Sequence, residues 1–300
     1  MTTSGGLLTV RARYANGGLS DIAVNLQRPP VTRLFIGQPP EAVIKTVPYI
    51  YTLCAHAQRA AAQAALAAAE GVERRPVDDA ELWIELLHEN FWRLLLDWPP
   101  TLGLPPAKEA FVAWRAERLG TNRVAATQSL VDGTLAELAE KCRLQLVDRR
   151  HALNFAFPAL NPQAWLAYWQ GAVAEHPAVR HPVSIGAAFA HRLAEVEAAT
   201  AALAENRPYP LAAAGDDGWG VAQTITARGA LTHAVRVVEG KVMNYRVWAP
   251  TDCHFAEAGP LAALLAGARV ADFCAARRLV EQAVLALDPC LPYVLELEDA

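Results

Sequence analysis

The chain has no stretch of sequence apolar for long enough to cross a bilayer. Its most apolar tract, Ala60 to Ala69, is ten residues long and carries Gln63, against the roughly 18–20 residues a membrane helix needs. The opening Met1-Thr2-Thr3-Ser4-Gly5-Gly6 lacks the basic region and apolar run of a secretory signal. Charge is also scarce, at 19% of residues, and Lys plus Arg (27) falls short of Asp plus Glu (31). No basic stripe is left over for nucleic acid, and no polybasic anchor for a lipid surface. Cysteines stand at 54, 142, 253, 274 and 290. The count is odd and no CxxC occurs, so neither a disulfide framework nor a zinc site is expected, and a reducing cytoplasm is the expected location. GxGxxG, Walker, HExxH and GxSxG motifs are missing. Gly215 to Gly220 lacks the ligand spacing of a calcium loop and reads as a turn.

What is present is a chain of 300 residues, 53% of them hydrophobic, enough for a sizeable core. No linker divides it, so residues 1–300 read as a single domain. Leu8, Val10, Ala12 and Tyr14 alternate, Asn16-Gly17 follows, and Ile22, Val24 and Leu26 alternate again: a β-hairpin with a tight turn. Thr46 reads as the N-cap of a helix running through Cys54 to about Gly71. Asp78-Asp79 opens another, ended by Asp97-Trp98-Pro99-Pro100. Helices follow near 108–119, 121–147, from Pro162, and from Ser184 to Glu205. Residues 230–238 and 241–248 are strand-like, and Pro260 precedes a last helix stopped by Pro289. The acidic end, Glu296 to Asp299, reads as a solvated terminus. The fold class is α+β, mostly helical, with small antiparallel hairpins near both ends of the chain.

Three ordered segments carry a resemblance. Thr226-Ala227-Arg228-Gly229-Ala230-Leu231-Thr232-His233 runs on through Val238-Glu239-Gly240 and Asn244-Tyr245 to Ala249-Pro250-Thr251. Asp288-Pro289-Cys290 stands near the other end, and Gly37 through Pro39 leads to Cys54. Together they resemble the large subunit of nickel–iron hydrogenases, whose metals are held by two CxxC pairs. Here Tyr51 stands where the first cysteine belongs, Tyr293 replaces a second and Glu296 the terminal histidine. Gln58 stands for another histidine, and the proton-transfer glutamate of that family is missing from Ser4-Gly5-Gly6-Leu7. The degenerate pattern resembles the HupK/HoxV maturation proteins.

That resemblance implies a scaffold without turnover. It would hold iron bearing cyanide and carbon monoxide ligands, without nickel, and pass it to the hydrogenase large subunit after upstream Hyp maturation factors have acted. The implied metal ligands are Cys54 and Cys290, since thiolates suit a soft iron centre. Arg228 would hydrogen-bond one cyanide and Thr251 the other, Pro250 would wall the carbonyl, and His233 would support from behind. Read without the resemblance, Cys54 beside an Ala-rich helix is a small core residue and Cys290 a free thiol near an exposed tail. Cys142 and Cys274 lie on apolar stripes and read as core, His254 reads as surface, and Cys253 stands open between a third site thiol and a loop residue. Most of the tryptophans read as core. Two other functions remain in competition: a metal-free interaction module of the same fold, and a reduced redox enzyme.

Overall fold

The computed structural model describes residues 6–146 and 155–299; the Ser4-Gly5 segment and the helix end near Val147 lie outside them. Strands β1 (Leu7–Ala15) and β2 (Gly18–Gln27) form the expected hairpin. Asn16 and Gly17 both take positive φ (51° and 77°), as a primed two-residue turn requires. A turn at Val31–Phe35 then leads to α1 (Pro40–Ile50) and α2 (Ala55–Glu70). The single helix expected across this region is two. Pro40 starts α1, Thr46 lies inside it with its hydroxyl donated to Ala42 O, and Tyr51 to Cys54 break the run. Cys54 thereby becomes the N-cap of α2.

Helix α3 (Asp79–Trp92) is capped by Asp78, which accepts from the Glu81 N–H at 3.0 Å. The helical run ends at Thr101, directly after the Asp97–Pro100 stretch read as its end. A π turn over Arg93–Asp97 carries it into α4 (Trp98–Thr101), because prolines 99 and 100 occupy a first turn where their missing N–H groups go unused. Helices α5 (Lys108–Glu117), α6 (Arg123–Leu130), α7 (Ala136–Gln145), α8 (Pro162–Trp169) and α9 (Ile185–Ala204, capped by Ser184) complete the helical body. A sheet follows: β3 (Leu211–Asp216), β4 (Trp219–Thr226), β5 (Gly229–Val238) and β6 (Lys241–Trp248), antiparallel in that order. Sequence reasoning found only its last two strands. The Asp217-Gly218 turn between β3 and β4 is the turn read at that place. Short α10 (Pro250–His254) and α11 (Gly259–Leu265) precede α12 (Phe273–Leu287).

The acidic end is not a free terminus. It is β7 (Tyr293–Asp299), which pairs in parallel with β1 from Leu8↔Tyr293 to Tyr14↔Asp299. Leu295 and Leu297 face the core and Glu296 pairs with Arg11. The first sheet, ordered β2-β1-β7, therefore joins the two ends of the described chain. Trp83, Trp98, Trp114 and Trp165 are buried, as read, and so is Cys142, but Cys274 is exposed on α12.

Alanine dominates α2 for a steric reason. The helix lies directly on β3, β4 and β5, so close that a Cβ on Gly220 would fall 2.0 Å from Ala65 O and one on Gly215 2.0 Å from Ala68 O. Only glycine opposite alanine allows that approach. The contact fixes the depth at which α2, and with it Cys54, sits against the segment bearing Arg228 and His233.

Candidate functional site

Cys54 and Cys290 come from opposite ends of the chain and lie within electrostatic reach of one another, of Arg228 and of Tyr51. Cys54 is set by α2's first turn. Glu85 of α3 accepts the His56 N–H at 2.7 Å and the Ala57 N–H at 2.9 Å, tying the start of α2 across to α3. Burial pushes the Cys54 thiol up to about 12; the charges of Glu85 and Cys290 add to this, and Arg228 and Gln58 offset only part. Cys54 is thus a thiol at neutral pH, and a metal bound there must displace its proton.

Behind Cys54 stands a hydrogen-bond chain. Gln58 Nε2 donates to Cys54 Sγ at 3.5 Å, and its Oε1 lies 2.8 Å from His233 Nε2. With the amide so oriented, Oε1 must accept, so His233 carries its proton on Nε2 and Nδ1 accepts from the Tyr245 hydroxyl at 2.7 Å. Burial lowers His233 to about 3 and keeps it neutral. His233 therefore supports the thiol through Gln58, the residue that had looked like a lost histidine.

Cys290 is set by three neighbours. Its N–H donates to Thr251 Oγ1 at 3.1 Å, which leaves the hydroxyl proton of that buried threonine available to donate elsewhere. Arg28 Nη2 donates to Cys290 Sγ at 2.9 Å. Asp288, two residues earlier, takes the left-handed conformation that ends α12 (φ 48°) and anchors the Pro289-Cys290 turn. Its Oδ1 accepts from Arg93 Nε at 2.6 Å and its Oδ2 from Arg192 Nη2 at 2.7 Å, while Arg228 Nε lies 3.5 Å from Oδ1. The π turn in α3–α4 belongs to the same device: it places Arg93 between Asp97, Asp288 and Pro289 O.

Arg228, only 4% exposed, donates through Nη2 to Glu89 Oε2 at 2.8 Å. Burial raises Glu89, but His88 and Arg228 outweigh it and hold the carboxyl below its usual range. Burial also opposes the Arg228 charge, yet Asp288 and Glu89 keep it firmly protonated. Arg228 Nε and Nη1 are nevertheless buried with no hydrogen-bond acceptor among the described residues. The charge is paired with Glu89 and Asp288, but buried N–H groups left without a hydrogen bond are costly unless an acceptor arrives. Pro250 packs over Gly229, the residue after Arg228, its ring carbons 3.6–3.7 Å from where a Cβ would stand.

No group of three or more His, Cys, Asp or Glu able to hold a metal occurs among the described residues. Two thiols, one unpaired guanidinium edge, one free hydroxyl proton and a proline ring do not suit a bare cation. Thiolates bind soft metals well, and the arginine and threonine offer donors to any acceptor atom brought near them. Cys253 is half-buried and raised to about 11 by burial and Asp252, and no hydrogen bond joins its thiol to the site among the described residues. His254 is buried rather than on the surface, its Nδ1 2.9 Å from His181 Nδ1. An open groove of about 530 Å³ between α1, α2 and α3, lined by Lys45, Tyr49, His56, Arg59 and Glu81, includes neither site cysteine.

Sequence reasoning missed Arg28, Glu89, Glu85 and the Arg93–Arg192 pair. Asp288 lay inside a motif already noticed; the others carried no local signal. Glu195, also buried, accepts from Asn90 Nδ2 at 2.8 Å on the edge of the same network. Burial raises it to about 7, with Arg192 and Asn90 offsetting only part. A carboxyl raised above its unfolded value of about 4.3 favours folding fully below that pH, and the benefit is lost as pH climbs through 7. Glu195→Gln should therefore match the native chain near pH 4 and exceed it by on the order of 3 kcal/mol at pH 8.5 in urea unfolding. Parallel pH profiles for the two would contradict that assignment.

The fold itself is that of the nickel–iron hydrogenase large subunit. The reduced Ni-Fe-Se hydrogenase of Desulfovibrio vulgaris Hildenborough superposes with a TM-score of 0.62 at 14% identity, covering 92% of this chain and 94% of that one. No protein-family model matches. Two relatives align almost end to end: hydrogenase expression/formation protein HupV of Azotobacter chroococcum, 31% identical over 97% of this chain and 98% of its own, and HupK of Azotobacter vinelandii, 30% identical over 98% and 99%. The chain belongs to this HupK/HupV family of hydrogenase expression/formation proteins. No helix among the described residues is long and apolar enough to cross a membrane.

Proposed function

We propose that this protein is a cytoplasmic scaffold for hydrogenase maturation. It holds iron carrying cyanide and carbon monoxide ligands through Cys54 and Cys290 and releases it to the hydrogenase large subunit; the upstream Hyp factors deliver it. The iron is cargo rather than a resident cofactor, no nickel accompanies it, and the protein has no turnover of its own. One observation carries the reading: two thiols from opposite ends of the chain converge where Arg228 keeps buried N–H groups without an acceptor. A cyanide nitrogen is such an acceptor. The names of the full-length relatives support the maturation role.

In this reading Cys54 and Cys290 bind as thiolates, each giving up a proton. Arg228 Nη1 and the Thr251 hydroxyl donate to the two cyanides, and Pro250 faces the carbonyl, which needs no hydrogen bond. Gln58 and His233 keep the Cys54 sulfur oriented. The test is an infrared spectrum of protein purified anaerobically from cells with active maturation machinery, beside Cys54→Ala and Cys290→Ala. Cyanide and carbonyl bands present in the native chain and absent from both variants are expected. A blank native spectrum would leave a metal-free partner-binding module as the better reading.

A further inference from the structure

The site holds a cation that the thiol motifs do not account for. Arg28 follows the last residue of β2, and Pro29-Pro30 stiffen the chain beyond it. Gly6, at φ +93°, lets the start of the described chain pass against this point, since a Cβ there would fall 2.6 Å from Gln27 O. The guanidinium so placed spans two groups. Nη2 donates to Cys290 Sγ at 2.9 Å, and Nε lies 2.7 Å from Asp252 Oδ1. Asp252 is itself fixed by the Ala249 N–H, 3.3 Å from its Oδ2. Tyr51 is close enough for Arg28 to act on its phenol.

Remove the guanidinium in thought, and what remains is a thiol and a carboxylate that it had bridged, with the Tyr51 phenol nearby. That is a donor set a first-row divalent ion would take. With Arg28 in place, one lone pair of the sulfur accepts a hydrogen bond and the carboxylate is ion-paired, and a second positive charge would have to sit beside a fixed one. We propose that Arg28 is a specificity-determining residue, a built-in counter-cation on Cys290 that shuts a second metal ion, nickel in particular, out of the thiol pair. This rests on reading Cys54 and Cys290 as the ligand pair. It makes the single-metal character of the site an active property of the chain rather than a mere result of two lost cysteines.

The inference is tested on full-length protein made without maturation machinery, reduced, and titrated anaerobically with nickel chloride by calorimetry and equilibrium dialysis. Arg28→Met should bind nickel at least about tenfold more tightly than the native chain, since the competing charge is gone. Arg28→Gln, which keeps an N–H donor without the charge, should gain likewise, and guards against a folding failure of the first variant. Arg28→Lys should stay at the native value. The gain should vanish in Arg28→Met/Cys290→Ala and in Arg28→Met/Asp252→Asn. Equal nickel affinity in the native chain and both neutral variants would overturn the proposal, as would a gain that survives loss of Cys290. Because the protein has never met the iron, this result is independent of the infrared outcome for the scaffold reading.

Discussion

Asp288→Ala should cost about 3–5 kcal/mol in urea unfolding at pH 7, the loss expected when a buried ionic partner is removed and its counter-charges stay behind. Three arginines share that carboxylate: Arg93 and Arg192 by hydrogen bonds, Arg228 by charge. All three are largely buried, so water cannot take the place of the lost oxygens. Asp288→Asn keeps the shape and one acceptor and should fall between. The pH dependence has a definite sign. Burial alone would raise Asp288, but Arg228, Arg93 and Arg192 together drive it far below the ordinary value. A carboxyl so depressed contributes stability above its unfolded value of about 3.9, and that contribution fades only as pH falls below it. Native protein and Asp288→Ala should therefore differ fully from neutrality to mild acid and converge only in strong acid. A constant offset down to pH 2 would refute this account. The local effect is as important, because Pro289 and Cys290 hang from the Asp288 turn.

Gly220→Ala should be nearly as damaging, at about 3 kcal/mol, the upper end of overpacking costs. The new methyl meets Ala65 O and the Ala69 amide, backbone on both sides, with no flexible side chain to move aside. Helix α2 has to lift off the sheet, and it carries Cys54 and Gln58 with it. Gly240→Ala is the control. Its φ of +70° is unfavourable for a side chain, a penalty Gly220 does not carry, but no atom lies within 4 Å of the new methyl, so only the backbone term of about 1–2 kcal/mol applies. Equal unfolding midpoints for the two variants would show that the α2–sheet contact is not the constraint described.

These two sites also mark where the sequence could and could not be read. The first hairpin was legible because Asn16-Gly17 specifies its own turn between alternating runs. Cys54, Cys290, Arg228 and Thr251 were legible only as a set borrowed from a resemblance; nothing in their spacing says that they meet. Strand β3 was missed because Leu-Ala-Ala-Ala-Gly has no strand propensity. It is a strand because α2 needs a surface without side chains to lie on. Strand β7 did alternate, with Leu295 and Leu297 between glutamates, but its partner lies at the other end of the chain and no local rule names it. Arg28 was invisible for the same reason: its sulfur partner is 262 positions away.

The pairing of β7 with β1 bears on how the molecule is born. Strand β1 is made long before β7 and finds β2 for one edge at once, but its other edge stays open until residues 293–299 have been made. Throughout synthesis the nascent chain therefore exposes a β-edge capable of pairing with the wrong strand. Cys54 waits during the same interval without Cys290, and Arg228 without Asp288. The site needs residues as far apart in the chain as Cys54 and Cys290, so whatever the two thiols capture together, they capture only once residue 290 has been made.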